Sequence, residues 1–198
     1  MTDKIILLLI FFLLFPFALS AQLEHKTDNS TGLKSWKFIQ SGLELAFVQR
    51  LPDQTRGFFQ GRGFSRQQAD EIATQCVFQT IAKNTHLKNT AEAVTVSLKS
   101  WRVKVNDRIQ GIKLKEDWDK QWAAIQDDSL QVAKPARIAF RWATFPSEQT
   151  FEPGGDYNWG MISFGLPPGA FFDLHVFWQA GHQSYDKWIN NIQCPMDL

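Results

Sequence analysis

The sequence lacks a surplus of charge of either sign: 21 Lys and Arg stand against 20 Asp and Glu, a formal net charge of +1 over 198 residues. Nucleic-acid binding through bulk charge depends on counterion release from a surface rich in Lys and Arg, so that class of function is excluded. Cysteine is scarce, with two in the chain, and neither Cys-x-x-Cys nor Cys-x-x-Cys-His occurs. A thioredoxin-like redox pair and covalent haem attachment are therefore ruled out. Gly-x-Ser-x-Gly and the phosphate-binding Walker motif are missing as well, which removes the nucleophile elbow and the P-loop. No repeat of fixed period appears.

Apolar and aromatic residues dominate what is present. The chain is 44% hydrophobic, and eight Trp with seventeen Phe supply more buriable area than a disordered chain carries. After a short polar head, residues 5–19 form an almost unbroken apolar run with four Phe. Fifteen residues at 1.5 Å each span about 22 Å, short of the roughly 30 Å hydrocarbon core, so a cleaved signal peptide fits better than a retained membrane anchor. Ala18, Ser20 and Ala21 are the small residues a signal peptidase accepts, and the expected cut follows Ser20 or Ala21. No later apolar stretch is long enough to cross a bilayer, so the mature protein is not expected to be integral to a membrane. The expected organisation is a signal peptide (1–21), a flexible leader (22–35) and one globular domain (36–198), in the periplasm or outside the cell.

An exported protein meets oxidising conditions, which favours a bridge between Cys76 and Cys194 over two separate buried thiols. Closing a loop of about 118 residues would remove on the order of 4 to 5 kcal/mol of unfolded-state entropy.

Partial alternation over residues 36–48, with Leu43, Leu45 and Phe47 on one side, predicts a first strand. Pro52, Gly57, Gly61 and Gly63 punctuate residues 50–63 and predict a loop. Ser65 and Gln68 have capping-box spacing, and Ala69, Ile72, Ala73, Cys76, Val77, Thr80 and Ile81 follow at three and four residues, predicting a helix over 66–83. Residues 93–105 read as a strand whose apolar face changes phase near Lys99 and Ser100, as a β-bulge would make it. Trp118, Trp122 and Ile125 predict a shorter helix behind Glu116 and Asp117. Residues 137–145, 157–166, 171–179 and 184–192 read as strands between turn signals. Together these predict a mainly β protein with α: an antiparallel β-sandwich, immunoglobulin-like in outline, carrying one long and one short helix.

Two segments stand out as contact surfaces. Residues 50–66 hold Arg50, Arg56, Arg62 and Arg66 against Asp53, a net charge of +3, interleaved with Phe58, Phe59 and Phe64. Arg and aromatic side chains dominate interface hot spots, so Arg56, Arg62, Arg66 and Phe59 are candidates for docking an acidic group. Residues 150–172 combine glycines and prolines with Asp156, Tyr157 and Trp159, a composition suited to a recognition loop. If Tyr157 and Trp159 lie exposed, they form a platform for carbohydrate or peptide.

Catalytic and metal readings are weaker. Asp173, His175 and Asp186 would converge as metal ligands if the last hairpin turned at Ala180-Gly181. A solvent-facing strand gives the same letters. Cys194-Pro195-Met196 lacks the following His of a type-1 copper site. Cys76 with His86 as a catalytic dyad competes with a packed or bridged Cys76. The carboxylates Glu116-Asp117 and Asp127-Asp128 read as helix-start and turn residues. The leading expectation is a non-enzymatic exported binding or accessory protein without a cofactor, recognising a partner protein or envelope component. The alternatives are an envelope-directed hydrolase with a carboxylate pair assembled in the fold, and a metal-handling protein.

Overall fold

A computed structural model describes residues 23–89 and 92–197; the expected signal peptide lies outside the described residues. The first strands are β1 (Glu24–Thr27), β2 (Lys34–Gln40) and β3 (Leu43–Gln49), followed by α1 (Pro52–Gln60), α2 (Arg66–Ala73) and β4 (Val77–Asn84). Then come β5 (Val94–Ser97), a 3-10 turn, β6 (Arg102–Val105), β7 (Arg108–Gly111), α3 (Lys115–Ala123) and α4 (Lys134–Ala143). The chain finishes with β8 (Glu148–Phe151), β9 (Tyr157–Ser163), β10 (Phe171–Ala180) and β11 (Gln183–Gln193). All strand pairings are antiparallel.

The strands form two sheets. The first runs β1-β2-β3-β4-β9. The second is built around β10, which pairs β11 along one edge and both β6 and β5 along the other, with β7 and β8 outside them. Inward side chains of the two sheets share one apolar core, where Phe38 meets Trp178 at 5.8 Å and Phe47 meets Trp101 at 5.9 Å. Both buried indoles keep a partner: Trp101 donates to Phe177 O (3.0 Å) and Trp178 to Ser41 O (3.3 Å). The expected mainly β sandwich with helices is therefore present, although its strand order does not establish an immunoglobulin outline.

The helices form a third layer over one end of the first sheet. Phe59, Phe64, Trp118, Trp122 and Phe140 make a second aromatic core that closes on Val77 and Met161. Ser65 caps α2 through the expected reciprocal box, its hydroxyl accepting Gln68 N at 3.2 Å while Gln68 Oε1 accepts Ser65 N at 3.0 Å.

Several expectations are corrected. The helix expected over 66–83 stops at Ala73; Cys76 takes φ 54° and the chain enters β4, whose ladders with β3 and β9 outweigh the local helical spacing. Residues 50–63 are largely the helix α1, started by Pro52 at its first turn. Residues 137–145 are not a strand: Ala136, Phe140 and Ala143, spaced four and three apart, are the buried stripe of α4. Within the expected flexible leader, residues 24–27 pair with β2, and His25 stacks on Trp36 at 5.0 Å. The phase change near Lys99 and Ser100 is real, but a 3-10 turn at Leu98–Ser100 produces it rather than a bulge.

Cys76 and Cys194 are both buried and bonded, with Cα atoms 5.1 Å apart and a sequence separation of 118. The bridge joins the start of β4 in the first sheet to the segment after β11 in the second. The paired substitution Cys76→Ser with Cys194→Ser should lower stability by up to about 4 to 5 kcal/mol, read as a fall in thermal midpoint that reductant reproduces in the wild type. An unchanged midpoint would contradict this account.

A second prediction concerns Gly160 in β9. A Cβ there would press into the backbone of Phe145, 2.6 Å from its Cα, where the segment leaving α4 bonds to β9 through Phe145 N and Met161 O. Gly160→Ala should cost about 1 to 3 kcal/mol in a denaturant titration, whereas Gly57→Ala, which meets nothing within 4 Å, should cost far less.

Candidate functional site

The Arg/Phe segment is brought together, but it is turned inward. On α1, Arg56 donates from Nε to Asp70 (2.6 Å), from Nη1 to Asp53 (2.8 Å) and from both Nη atoms to Asp197 (2.8 and 2.6 Å). Three carboxylates, from α1, α2 and the C-terminal segment, thus surround one guanidinium. They raise the Arg56 pKa, Asp197 most, and the hydrogen bond from Arg56 holds the Asp197 carboxyl below the usual carboxylate range. Arg56 ties the helices to the chain end, so its charge is not free for an acidic partner. Phe59 is a further correction: it is fully buried against Phe64 and Phe140 and cannot be a contact residue.

Arg50 is half-buried and donates to Gln79 Oε1 at 2.7 Å, whereas Arg62 and Arg66 are exposed. Arg62 lies over the Phe58 ring, 3.3 Å from its centroid, and donates to Phe58 O at 3.0 Å. Arg66 opens α2 and borders a shallow depression with Arg56, Asp53 and Asp70. The two acids offset the cations there, which the composition of residues 50–66 alone did not show.

The Gly/aromatic stretch divides into a brace and a surface. Asp156 is structural: Oδ2 accepts Glu152 N at 3.0 Å and its carbonyl accepts Asn84 N at 2.9 Å, clamping the turn made by Gly154 (φ 102°) and Gly155 (φ 91°). Tyr157 and Trp159 point outward from β9 and are 62% and 52% exposed. Their rungs cross the first sheet as Ile39-Glu44-Lys83-Tyr157 and Lys37-Ala46-Ile81-Trp159. Ile39 is half exposed, and Lys37 pairs with Glu44 at 2.7 Å. One rung further, Met161 is already covered by the helical layer. The result is an open, partly aromatic face bounded by that layer.

The last hairpin turns at Gly181 and His182, with Ala180 opposite Gln183, so its register is shifted two residues from the expected one. His175 lies opposite Trp188 and stacks on it at 4.2 Å with an interplanar angle of 8°; Phe177 flanks it at 4.1 Å. Asp186, on the neighbouring rung, still reaches His175 Nε2 at 2.6 Å. Asp173 does not join them. Its Oδ1 accepts Asn191 N (2.9 Å) beside the register shift in the β10-β11 ladder. The described residues contain no group of three or more His, Cys, Asp or Glu able to hold a metal.

Composition-level reading missed Trp142, which is 86% exposed on α4 next to the buried Ala143 and two positions after Phe140. Taking that segment as a strand hid its outward stripe. Among the described residues, no helix is long and apolar enough to cross a membrane.

The chain matches no protein-family model, no curated protein and no solved structure. Function must be argued from the surfaces themselves.

The Arg56 cluster makes a pH prediction. Asp197 has a folded pKa below its unfolded value, so its contribution is fully present above about pH 4 and is lost as pH falls through the folded value. Arg56→Gln should lower the thermal midpoint at neutral pH and reduce the further loss on acidification. Melting curves recorded across the acid range check this; parallel curves for variant and wild type would contradict it.

Proposed function

We propose that this is an exported, non-enzymatic binding or accessory protein, acting in the periplasm or outside the cell on a partner protein or an envelope component. The carrying observation is the open face around Tyr157 and Trp159. Two large aromatic side chains stand in water on a rigid sheet, where burying them against a partner would release more apolar area than any other pair on that face. The strand ladder fixes their spacing in advance, so little conformational freedom is lost on binding. Arg62, held over Phe58 on α1, adds an exposed cation to the helical side of the molecule.

Export is supported by the Cys76–Cys194 bridge, because such bonds persist in oxidising compartments and are rare where thiols are kept reduced. The apolar run at residues 5–19 supplies the matching leader. A hydrolase reading gains little from the carboxylates that approach one another here. Asp53, Asp70 and Asp197 do so around a guanidinium, and a general acid must keep the proton that such a partner drives off.

The test is capture from an envelope extract with the mature protein as bait. A partner recovered by the wild type should fall about tenfold or more in yield with Trp159→Ala, as removal of a hot spot requires, and less with Arg62→Glu. Equal recovery by wild type and Trp159→Ala would remove this face as the contact. N-terminal sequencing of the exported protein should begin at residue 21 or 22; a chain beginning at Met1 and held in the cytosol would overturn the compartment.

A further inference from the structure

The outer face of the second sheet carries a groove of about 380 Å3, within the size range of small-molecule sites, that the first-sheet surface does not use. Its rungs follow from the ladder. Ser184, Gln179, Thr95 and Thr150 lie in register across β11, β10, β5 and β8. Two residues along, Asp186 sits opposite Phe177 and Ser97 opposite Glu148. Phe177 is half-buried at the centre and backed by the His175–Trp188 stack, so the floor is a fixed aromatic surface with polar groups on both sides.

Most of those polar groups are uncommitted. Thr95 is bonded to Thr150 at 2.9 Å, but the side chains of Ser97, Glu148, Gln179 and Ser184 have no hydrogen bond or ion pair among the described residues. Both edges of β10 are consumed by neighbouring strands. An extended peptide therefore finds no backbone row to pair with on β10, and recognition on the groove floor runs through side chains. Glu148 and Asp186 repel an anionic ligand.

We propose that this groove binds a neutral saccharide. A sugar ring presents a C–H face that lies on an aromatic ring, here Phe177, and adjacent hydroxyls at its rim. Glu148 accepts from two such hydroxyls at once; Gln179 both donates and accepts; Ser97 and Ser184 supply hydroxyls of either polarity. That complement of acceptor-only, amide and hydroxyl groups around an aromatic floor matches a polyol and suits neither a hydrocarbon nor a phosphate.

The test is affinity electrophoresis of the mature protein through gels cast with soluble β-glucan, α-glucan, galactomannan or xylan. Retarded migration is expected in at least one of them. Phe177→Ala and Glu148→Gln should each weaken the retardation about tenfold, the loss of one stacking contact or one charged hydrogen bond. Trp159→Ala should migrate as the wild type does, which separates this groove from the first-sheet face. Glu148→Gln preserves shape and carries the test should Phe177→Ala fold poorly. An unretarded wild type in all four gels, retardation untouched by both groove variants, or retardation abolished by Trp159→Ala alone would each overturn the proposal.

Discussion

At Cys76 the backbone turns left-handed, the carbonyl accepts Phe164 N at 3.2 Å, and the sulfur is bonded to Cys194. A residue with a side chain at positive φ is disfavoured by roughly 1 to 2 kcal/mol, so the surroundings must hold it there. They do so from three directions. Helix α2 arrives from the helical layer, β4 leaves into the middle of the first sheet, and the bridge reaches the end of β11 in the second. Were the helix to continue, β3 and β9 would lose the strand that joins them. The same junction places Asp197 three residues beyond Cys194, within reach of Arg56. Layer order and the position of the chain end thus share one constraint.

That constraint also decides which surfaces are left open. The first sheet is covered on its inner face by the second, and on its outer face only where α1 to α4 close over Val77 and Met161. Tyr157 and Trp159 lie on the same strand as Met161 but at its uncovered end. The second sheet has no helical cover along β10, and its outward row of His175, Phe177 and Gln179 stays accessible beside β11. Aromatic residues consequently do two jobs. Trp101, Trp118 and Trp178 are buried and fill the two cores, whereas Trp142, Trp159 and Trp188 retain exposed area.

Much of the sandwich was legible in the sequence because period-two alternation survives wherever one face is solvated. Residues 171–180 alternate strictly between exposed or intermediate and buried positions, and so do residues 43–49. The capping box at Ser65 and Gln68 was equally plain, since two local hydrogen bonds define it. Where the helix ended was not. In β4 the inner face is buried and Val77 on the outer face is covered by helices, so Val77, Thr80 and Ile81 imitate a helical stripe. The strand wins through pairings to β3 and β9, which are remote in sequence. The reverse error arose at α4, where Ile138, Phe140 and Trp142 alternate like a strand although Ala136, Phe140 and Ala143 are what the helix buries.

The candidate site was legible only in part, for a related reason. Composition shows that residues 50–66 are basic, yet it cannot show that Asp70 and Asp197 fold back onto Arg56 and that Phe59 is spent on a core. In the last hairpin the error was of another kind. A register shift of one residue would exchange the two faces of a strand, but a shift of two returns every side chain to its original face. The expectation that His175 and Asp186 share a face therefore held although their direct pairing did not, and Asp173 stayed apart at the register shift. His175 gained Trp188 as its direct neighbour and kept Asp186 on the diagonal, close enough for a hydrogen bond. What had the composition of a metal site became an aromatic stack with a carboxylate at its edge, and that stack is what backs Phe177 in the groove.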